Sequence, residues 1–254
     1  MSSASATANL QAAIDDLVIA NHILANEGVV DGFGHISVRH PNDPALMLIA
    51  RSMAPALVQA ADILVCNLDG EILDAQGRRS YVERFIHSEV YRVRPDVHSV
   101  IHTHSPAIVP FGVTGGRLRP ICHMSGFLGA TTPVYDIRHS AGAGTDLLIS
   151  SQALGRDLAK VLGVNHVALL RGHGNVVVGH SIQQSVFRAI YTESNAKLQL
   201  QAMQIAQLQG QTADSVEYLS IDEAQATSDM NDLHLSRPWE MWKQRVESSL
   251  QTPH

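Results

Sequence analysis

Short apolar runs bounded by turn residues alternate with helix-length segments along the chain, and no feature constrains its fold more. Met47 to Ala50, Asp62 to Asn67, Ser99 to His104, Val167 to Leu170 and Val176 to Val178 have the length and composition of strands. Residues 8–28 carry Leu10, Ile14, Leu17, Val18 and Leu24 at helical spacing and end near Gly28. Glu83 to Val93 reads as a helix that stops at Arg94-Pro95, because the residue before proline is pushed out of the α region. Pro106 to Phe111 opens a further helix, residues 146–162 form another, and a long one runs from about Ser181 to Leu208 with no Pro or Gly inside. Asp69-Gly70 is a hairpin-type turn, and Gly32-Phe33-Gly34 is a Gly-rich turn feeding a strand from His35 to Arg39. Every sheet face and helix stripe must be buried against something, so this mixture predicts one layered α/β domain. No repeat or linker divides it; Asp43-Pro44 and Gly115-Gly116 mark loops.

Composition narrows the function. Hydrophobic residues make up 45% and charged residues 17%, a globular balance. The net charge of −6 argues against nucleic acid or an anionic membrane as the main partner. No apolar stretch reaches the roughly 20 residues of a membrane span. Residues 1–7 are Ser/Ala-rich, with no basic or apolar leader region, and are expected to be a disordered tail. Cys66 and Cys122 stand far apart, which favours a reducing cytoplasm over a disulfide framework. No Gly-x-Ser-x-Gly elbow and no Gly-x-Gly-x-x-Gly fingerprint is present, so a serine hydrolase and a dinucleotide enzyme are poor fits.

Fourteen His against five Phe, five Tyr and two Trp is an unusual balance. Most of these His are expected to be surface or hydrogen-bonded residues. His102 and His104 differ, because they lie two apart on an expected strand, whose period points both rings to one face. One metal can then accept both imidazoles. His173 sits in Arg171-Gly172-His173-Gly174, a turn between two strands, where small neighbours let backbone and metal approach closely. A lone His on a strand is more often a satisfied core residue than a ligand. Three His on a divalent ion with one position open is, however, a common catalytic pattern.

Glu83, then 18 residues, then His102-Thr103-His104, followed far downstream by Leu169-Leu170-Arg171-Gly172-His173-Gly174, resembles the class II aldolase and adducin family. The resemblance covers residues 8–208, leaving 209–254 as an extension expected to pack on this domain or on a neighbouring subunit. Gly34-His35-Ile36-Ser37 resembles the family's Gly-Asn-x-Ser turn, with His in place of Asn. The resemblance implies a three-layer α/β/α fold with a mostly antiparallel central sheet. It implies a homotetramer with active sites at subunit interfaces. It also implies one divalent metal per subunit on His102, His104 and His173, with Glu83 beside it as ligand or acid/base. Three imidazoles suit zinc, manganese, cobalt or iron alike. Glu83 alone would read as a solvated residue favoured by a helix dipole.

Sugar-phosphate members of the family place small hydroxylated residues just before the acidic residue. Here Tyr81 and Val82 stand there, and a phosphate would be poorly served. The run from Ser80 to Tyr91 and the Arg237-Pro238-Trp239 segment look more like the family's decarboxylases of hydroxylated aromatic or related dicarboxylates. Arg51 and Ser52 fall where sugar-phosphate members keep part of a phosphate loop, and an Arg fork there suits a flat carboxylate. Gly34, His35 and Tyr81 complete the expected substrate-binding set. The expected chemistry is carbon–carbon cleavage through an enolate stabilised by the metal, with His123 as proton donor to the new carbanion carbon. An aldolase or epimerase acting on a hydroxy-acid or sugar is the alternative. A non-catalytic adducin-like oligomeric module is a third reading, against which the intact His triad argues.

Overall fold

In the computed structural model, which describes residues 3–251, seven strands form one sheet. They are β1 (His35–Arg39), β2 (Leu46–Ala50), β3 (Ile63–Asn67), β4 (Ser99–Thr103), β5 (Val134–Tyr135), β6 (Val167–Leu170) and β7 (Gly174–Gly179). Their order is β3-β2-β1-β4-β7-β6-β5, and every neighbouring pair is antiparallel except β5 with β6. The helices are α1 (Ser3–Asn26), α2 (Arg84–Val93), α3 (Val109–Val113), α4 (Arg138–Ala141), α5 (Gln152–Leu162), α6 (Ile182–Leu208), α7 (Ile221–Asp232) and α8 (Ser236–Gln251).

The strands are apolar on both faces because helices cover both. Ile36, Val38, Leu48, Ile101, Leu169 and Val177 pack with residues of α1, α6 and α8. Their strand neighbours Met47, Ile49, Val100, Ala168, Leu170, Val176 and Val178 pack with α2 and α5. The strand period of two sorts them so, and the result is the expected α/β/α sandwich. It also fixes the site: His102 lies two residues from Val100, so its ring faces the α2/α5 side. His35 stands opposite His102 in the β1–β4 register and faces the same way.

The helices α1, α5, α7 and α8 depart from the sequence reading. A tail was expected over residues 1–7, yet α1 starts at Ser3; residues 1–2 lie outside the described residues. The reason is alanine, the best helix former, at alternate positions of the segment, together with Asn42, whose Nδ2 donates to the Ala6 carbonyl at 2.8 Å. The helix expected over 146–162 starts only at Gln152. Ser151 is its N-cap and accepts from the Leu154 N–H, and Leu147, at φ 68°, is incompatible with a helix. Beyond Leu208, α7 and α8 replace an extension of unspecified structure. Trp239, Trp242 and Val246 of α8, at helical spacing, are buried against the α1/α6 layer. Among the described residues, no helix is long and apolar enough to cross a membrane.

Candidate metal centre

β4 ends in the site. His102 is fully buried, and its Nδ1 lies 3.1 Å from the carbonyl oxygen of Asn175 on β7. A carbonyl only accepts, so Nδ1 carries the proton and Nε2 presents its lone pair. That Nε2 is 3.0 Å from Nε2 of His104, one residue past the end of β4. His173 occupies the turn between β6 and β7. Gly172 takes φ 67° there, and Gly174 lies so close to the Thr103 carbonyl that a Cβ would collide with it. The turn therefore folds tightly onto the end of β4. It brings the His173 ring centroid within 4.8 Å of His102 and 4.7 Å of His104.

Glu83 comes from the other layer. It is the N-cap residue of α2, but its side chain does not cap that helix. Instead Oε1 accepts the Ile149 N–H at 2.9 Å, which turns Oε2 toward His102 Nε2 at 3.5 Å and His173 Nε2 at 3.7 Å. One ligand atom from each of Glu83, His102, His104 and His173 falls within 4.8 Å of the others. Burial, with His173 and His104 adding, holds His102 well below its ordinary pKa. Burial also lowers His104 and His173. The imidazoles are thus in the unprotonated form that a metal requires. Burial raises the Glu83 carboxyl, a cost that a cation would offset. Convergent lone pairs beside a carboxylate form a donor set that repels itself when empty and is satisfied by a divalent ion. The residues fit the metal that the sequence implies.

A cavity of about 290 Å³ opens beside this cluster, lined by Gly32, Phe33, Gly34, His35, Ser52, Met53, Ala54, Tyr81, Val82, Glu83, His104 and Leu148. The sequence-derived residues Gly34, His35, Ser52, Tyr81, Glu83 and His104 are all in its wall. Tyr81 is held across it by donating to the Met53 carbonyl at 2.8 Å, and its ring rests 4.5 Å from that of His35. Gly34 has φ 90° and leaves no room for a Cβ beside Val30, so no other residue fits this turn without strain.

Two expected residues are elsewhere. Arg51 is not in the wall: its Nε donates to Asp62 at 2.6 Å, while Ser52, the next residue in the bend after β2, lines the cavity. His123 lines a separate cavity with Tyr191, Asn231, His234 and Arg237, and does not join the metal cluster of its own chain. Sequence reasoning missed Asn175, Ile149, Phe33 and Leu148. Asn175 was visible as the residue after Gly174, but its role is that of its backbone carbonyl, which no residue type reveals.

Residues 15–200 match the model of the class II aldolase and adducin N-terminal domain. The chain is 37% identical over 242 residues to decarboxylase tropJ of Talaromyces stipitatus, covering 89% of this chain and 91% of that protein. It is 34% identical over 196 residues to 3,4-dihydroxyphthalate decarboxylase of Rhodococcus jostii, covering 71% and 76%. Among solved structures, an L-fuculose 1-phosphate aldolase from Glaciozyma antarctica superposes with a TM-score of 0.76 at 22% identity, over 98% of this chain and 93% of the other; this likeness shows the fold. With lyases among its relatives and the Glu/His cluster intact, the chain is an enzyme, a lyase, and belongs to the class II aldolase and adducin family.

Proposed function

We propose that this lyase is a metal-dependent decarboxylase of a small hydroxylated aromatic, or closely related, carboxylate. One observation carries the substrate class: the wall beside the Glu/His cluster is largely apolar. Phe33, Met53, Ala54, Tyr81, Val82 and Leu148 are half of its residues, and no Lys or Arg is among the rest. A phosphate dianion would meet neither a cation nor a set of short donors there. A planar ring would meet the surface it packs on best. The names of the relatives, decarboxylase and 3,4-dihydroxyphthalate decarboxylase, support the same reading.

Decarboxylation breaks the bond between a ring carbon and its carboxyl carbon, leaving the electron pair on the ring. For that pair to pass to a ring oxygen, a proton must first reach the carboxyl-bearing carbon; one divalent ion per subunit, zinc, manganese, cobalt or iron, held by the Glu/His cluster, would supply Lewis acidity at that oxygen. The chain's residues do the rest. Asn175 fixes His102 with its Nε2 lone pair directed into the cluster. Ile149 fixes Glu83, whose Oε2 lies between the imidazoles and the cavity, where it can ligate or hold a proton for the new C–H bond. The apolar wall keeps bulk water from the reacting carbon. The mouth is also apolar, with Phe33 70% and Val82 55% exposed in the single chain. This supports a homotetramer whose neighbouring subunits cover each site, and His123 would enter a centre only across such a boundary. The cytoplasm is the proposed compartment, given two free thiols.

Metal-reconstituted protein should release CO₂ from 3,4-dihydroxyphthalate or another hydroxylated aromatic dicarboxylate, and should leave L-fuculose 1-phosphate intact. Efficient cleavage of the sugar phosphate without CO₂ release from any aromatic acid would return the chain to aldol chemistry.

A further inference from the structure

Behind the cavity wall lies a line of buried polar groups that the proposed chemistry does not use. His35 Nδ1 is 2.6 Å from His87 Nε2, His87 Nδ1 is 2.7 Å from Ser37 Oγ, and Ser37 Oγ is 2.8 Å from the Tyr91 hydroxyl. Both rings and both hydroxyl-bearing side chains are nearly inaccessible to solvent. The line runs from the cavity along the seam between α2 and β1, where His87 and Tyr91 share the sheet-facing side of the helix, to the start of β4, where the Tyr91 hydroxyl donates weakly to the His98 carbonyl at 3.5 Å. At the other end His35 lines the cavity, and among the described residues its Nε2 makes no hydrogen bond. A core position that needed only packing would be filled by an apolar residue, because each buried polar group must be satisfied.

Burial keeps His87 uncharged, with a pKa of about 3, so its ring carries one N–H, and the short contact between His87 Nε2 and His35 Nδ1 has room for one proton, held by one ring or the other. Two neutral arrangements then satisfy the three side-chain bonds, with the Val100 backbone beside His87 and Tyr91 in both. In the first, His35 donates from Nδ1 to His87, His87 to Ser37, Ser37 to Tyr91 and Tyr91 to the His98 carbonyl. His35 Nε2 then shows the cavity a lone pair. In the second, Tyr91 donates to Ser37, Ser37 to His87 and His87 to His35, and His35 Nε2 shows the cavity an N–H. The first has one extra, long bond, so the two are close in energy.

We propose that His35 is the polar contact for a substrate hydroxyl or phenolate oxygen, and that His87, Ser37 and Tyr91 are its positioning residues, whose hydrogen bonds can run in either direction so that His35 meets a donor or an acceptor. The identity of the substrate oxygen rests on the decarboxylase reading; the two arrangements do not.

Tyr91→Phe separates the ideas, since it keeps the ring and touches neither cavity nor metal cluster. Without the Tyr91 oxygen the first arrangement strands the Ser37 proton in the core, whereas the second stays satisfied. The ratio of Nε2–H to Nδ1–H tautomer at His35 should rise at least about fivefold, for a lost buried bond. Selective ¹⁵N-histidine labelling of the metal-free protein reads that ratio directly and needs no turnover. With metal restored, calorimetry with 3,4-dihydroxybenzoate and 3-hydroxy-4-methoxybenzoate should show the ratio of their affinities shifting toward the methoxy compound in Tyr91→Phe, because an ether oxygen only accepts. His87→Gln, which can still pair with His35, should retain more affinity than His87→Phe. An unchanged His35 tautomer in folded Tyr91→Phe would overturn the positioning chain. A His35→Phe variant that binds both compounds like wild type would overturn the contact. Failure of CO₂ release with the tautomer shift present would sink the decarboxylase reading and leave the chain standing.

Discussion

Replacing Glu83 by Gln removes one negative charge and one proton site while keeping the shape of the side chain. The structure lets its effects on folding and on chemistry be separated. Glu83 occupies the N-cap of α2 without capping it, so the about 0.5–2 kcal/mol that a lost cap costs does not apply. Its one backbone partner, the Ile149 N–H, can be accepted by the amide oxygen of Gln just as well. Burial already penalises the carboxylate in the metal-free chain, so neutralising it relieves a cost. Metal-free stability should therefore change by less than about 1 kcal/mol in urea unfolding. Metal affinity should behave differently. Even a residue outside the ligand set costs about 10–100-fold when removed, and Glu83 Oε2 lies within the set, so that range is a floor. Turnover should fall by about 10²–10⁴-fold, the usual contribution of an acid/base group. Competition against a chromophoric chelator gives the affinity, and CO₂ release gives the rate. A Gln variant that loses more than about 3 kcal/mol of metal-free stability but binds metal like wild type would make Glu83 a structural residue and refute the reasoning.

Gly174→Ala should disrupt the β4–β7 junction, since its Cβ would enter the Thr103 carbonyl; a cost of about 1–3 kcal/mol in urea unfolding and a clear loss of metal affinity are expected. Trp239→Ala in the buried face of α8 should cost about 3–5 kcal/mol by the same assay, whereas a loss below about 1 kcal/mol would mean that α8 does not stabilise the domain. Acid should destabilise the fold through His87 and His166, which burial holds near a pKa of about 3. Their folded values lie below the unfolded value of about 6.5, so their contribution is present above that pH and is lost as pH falls toward 3, by up to about 1.4 kcal/mol per pH unit for each. His166→Gln should flatten the pH dependence of unfolding between pH 6 and 4 by about one such increment, and an unchanged slope would contradict the shift at His166.

The three histidines that converge in the candidate metal centre were legible because each obeys a short-range rule. His102 and His104 share a face through the strand period, and His173 is marked by flanking glycines that only a tight turn requires. The mixture of strands and helices indicated a layered α/β domain, and the α/β/α order was implied by the family resemblance. What stayed hidden depends on long-range contact. Nothing near Glu83 says that its carboxylate is held by Ile149, 66 residues away. Nor does the spacing of His35 and His87 reveal that α2 sets one ring against the other. Arg51 and Ser52 looked equivalent as neighbours, but Asp62, eleven residues on, holds Arg51 while Ser52 lines the cavity. The C-terminal helices were missed although their signals were present: Ser220 and Glu223 form a capping box, and Trp239, Trp242 and Val246 keep helical spacing.

The central claim is that carbon–carbon cleavage depends on an ion held by Glu83, His102, His104 and His173. Elemental analysis and CO₂ release, measured together on wild type and His102→Ala with 3,4-dihydroxyphthalate as substrate, test it most directly. About one equivalent of divalent metal per chain is expected in wild type, with CO₂ release that a chelator abolishes and added metal restores. His102→Ala should lose both metal and activity while remaining folded. Full metal content in His102→Ala, or CO₂ release from metal-free protein, would contradict the account.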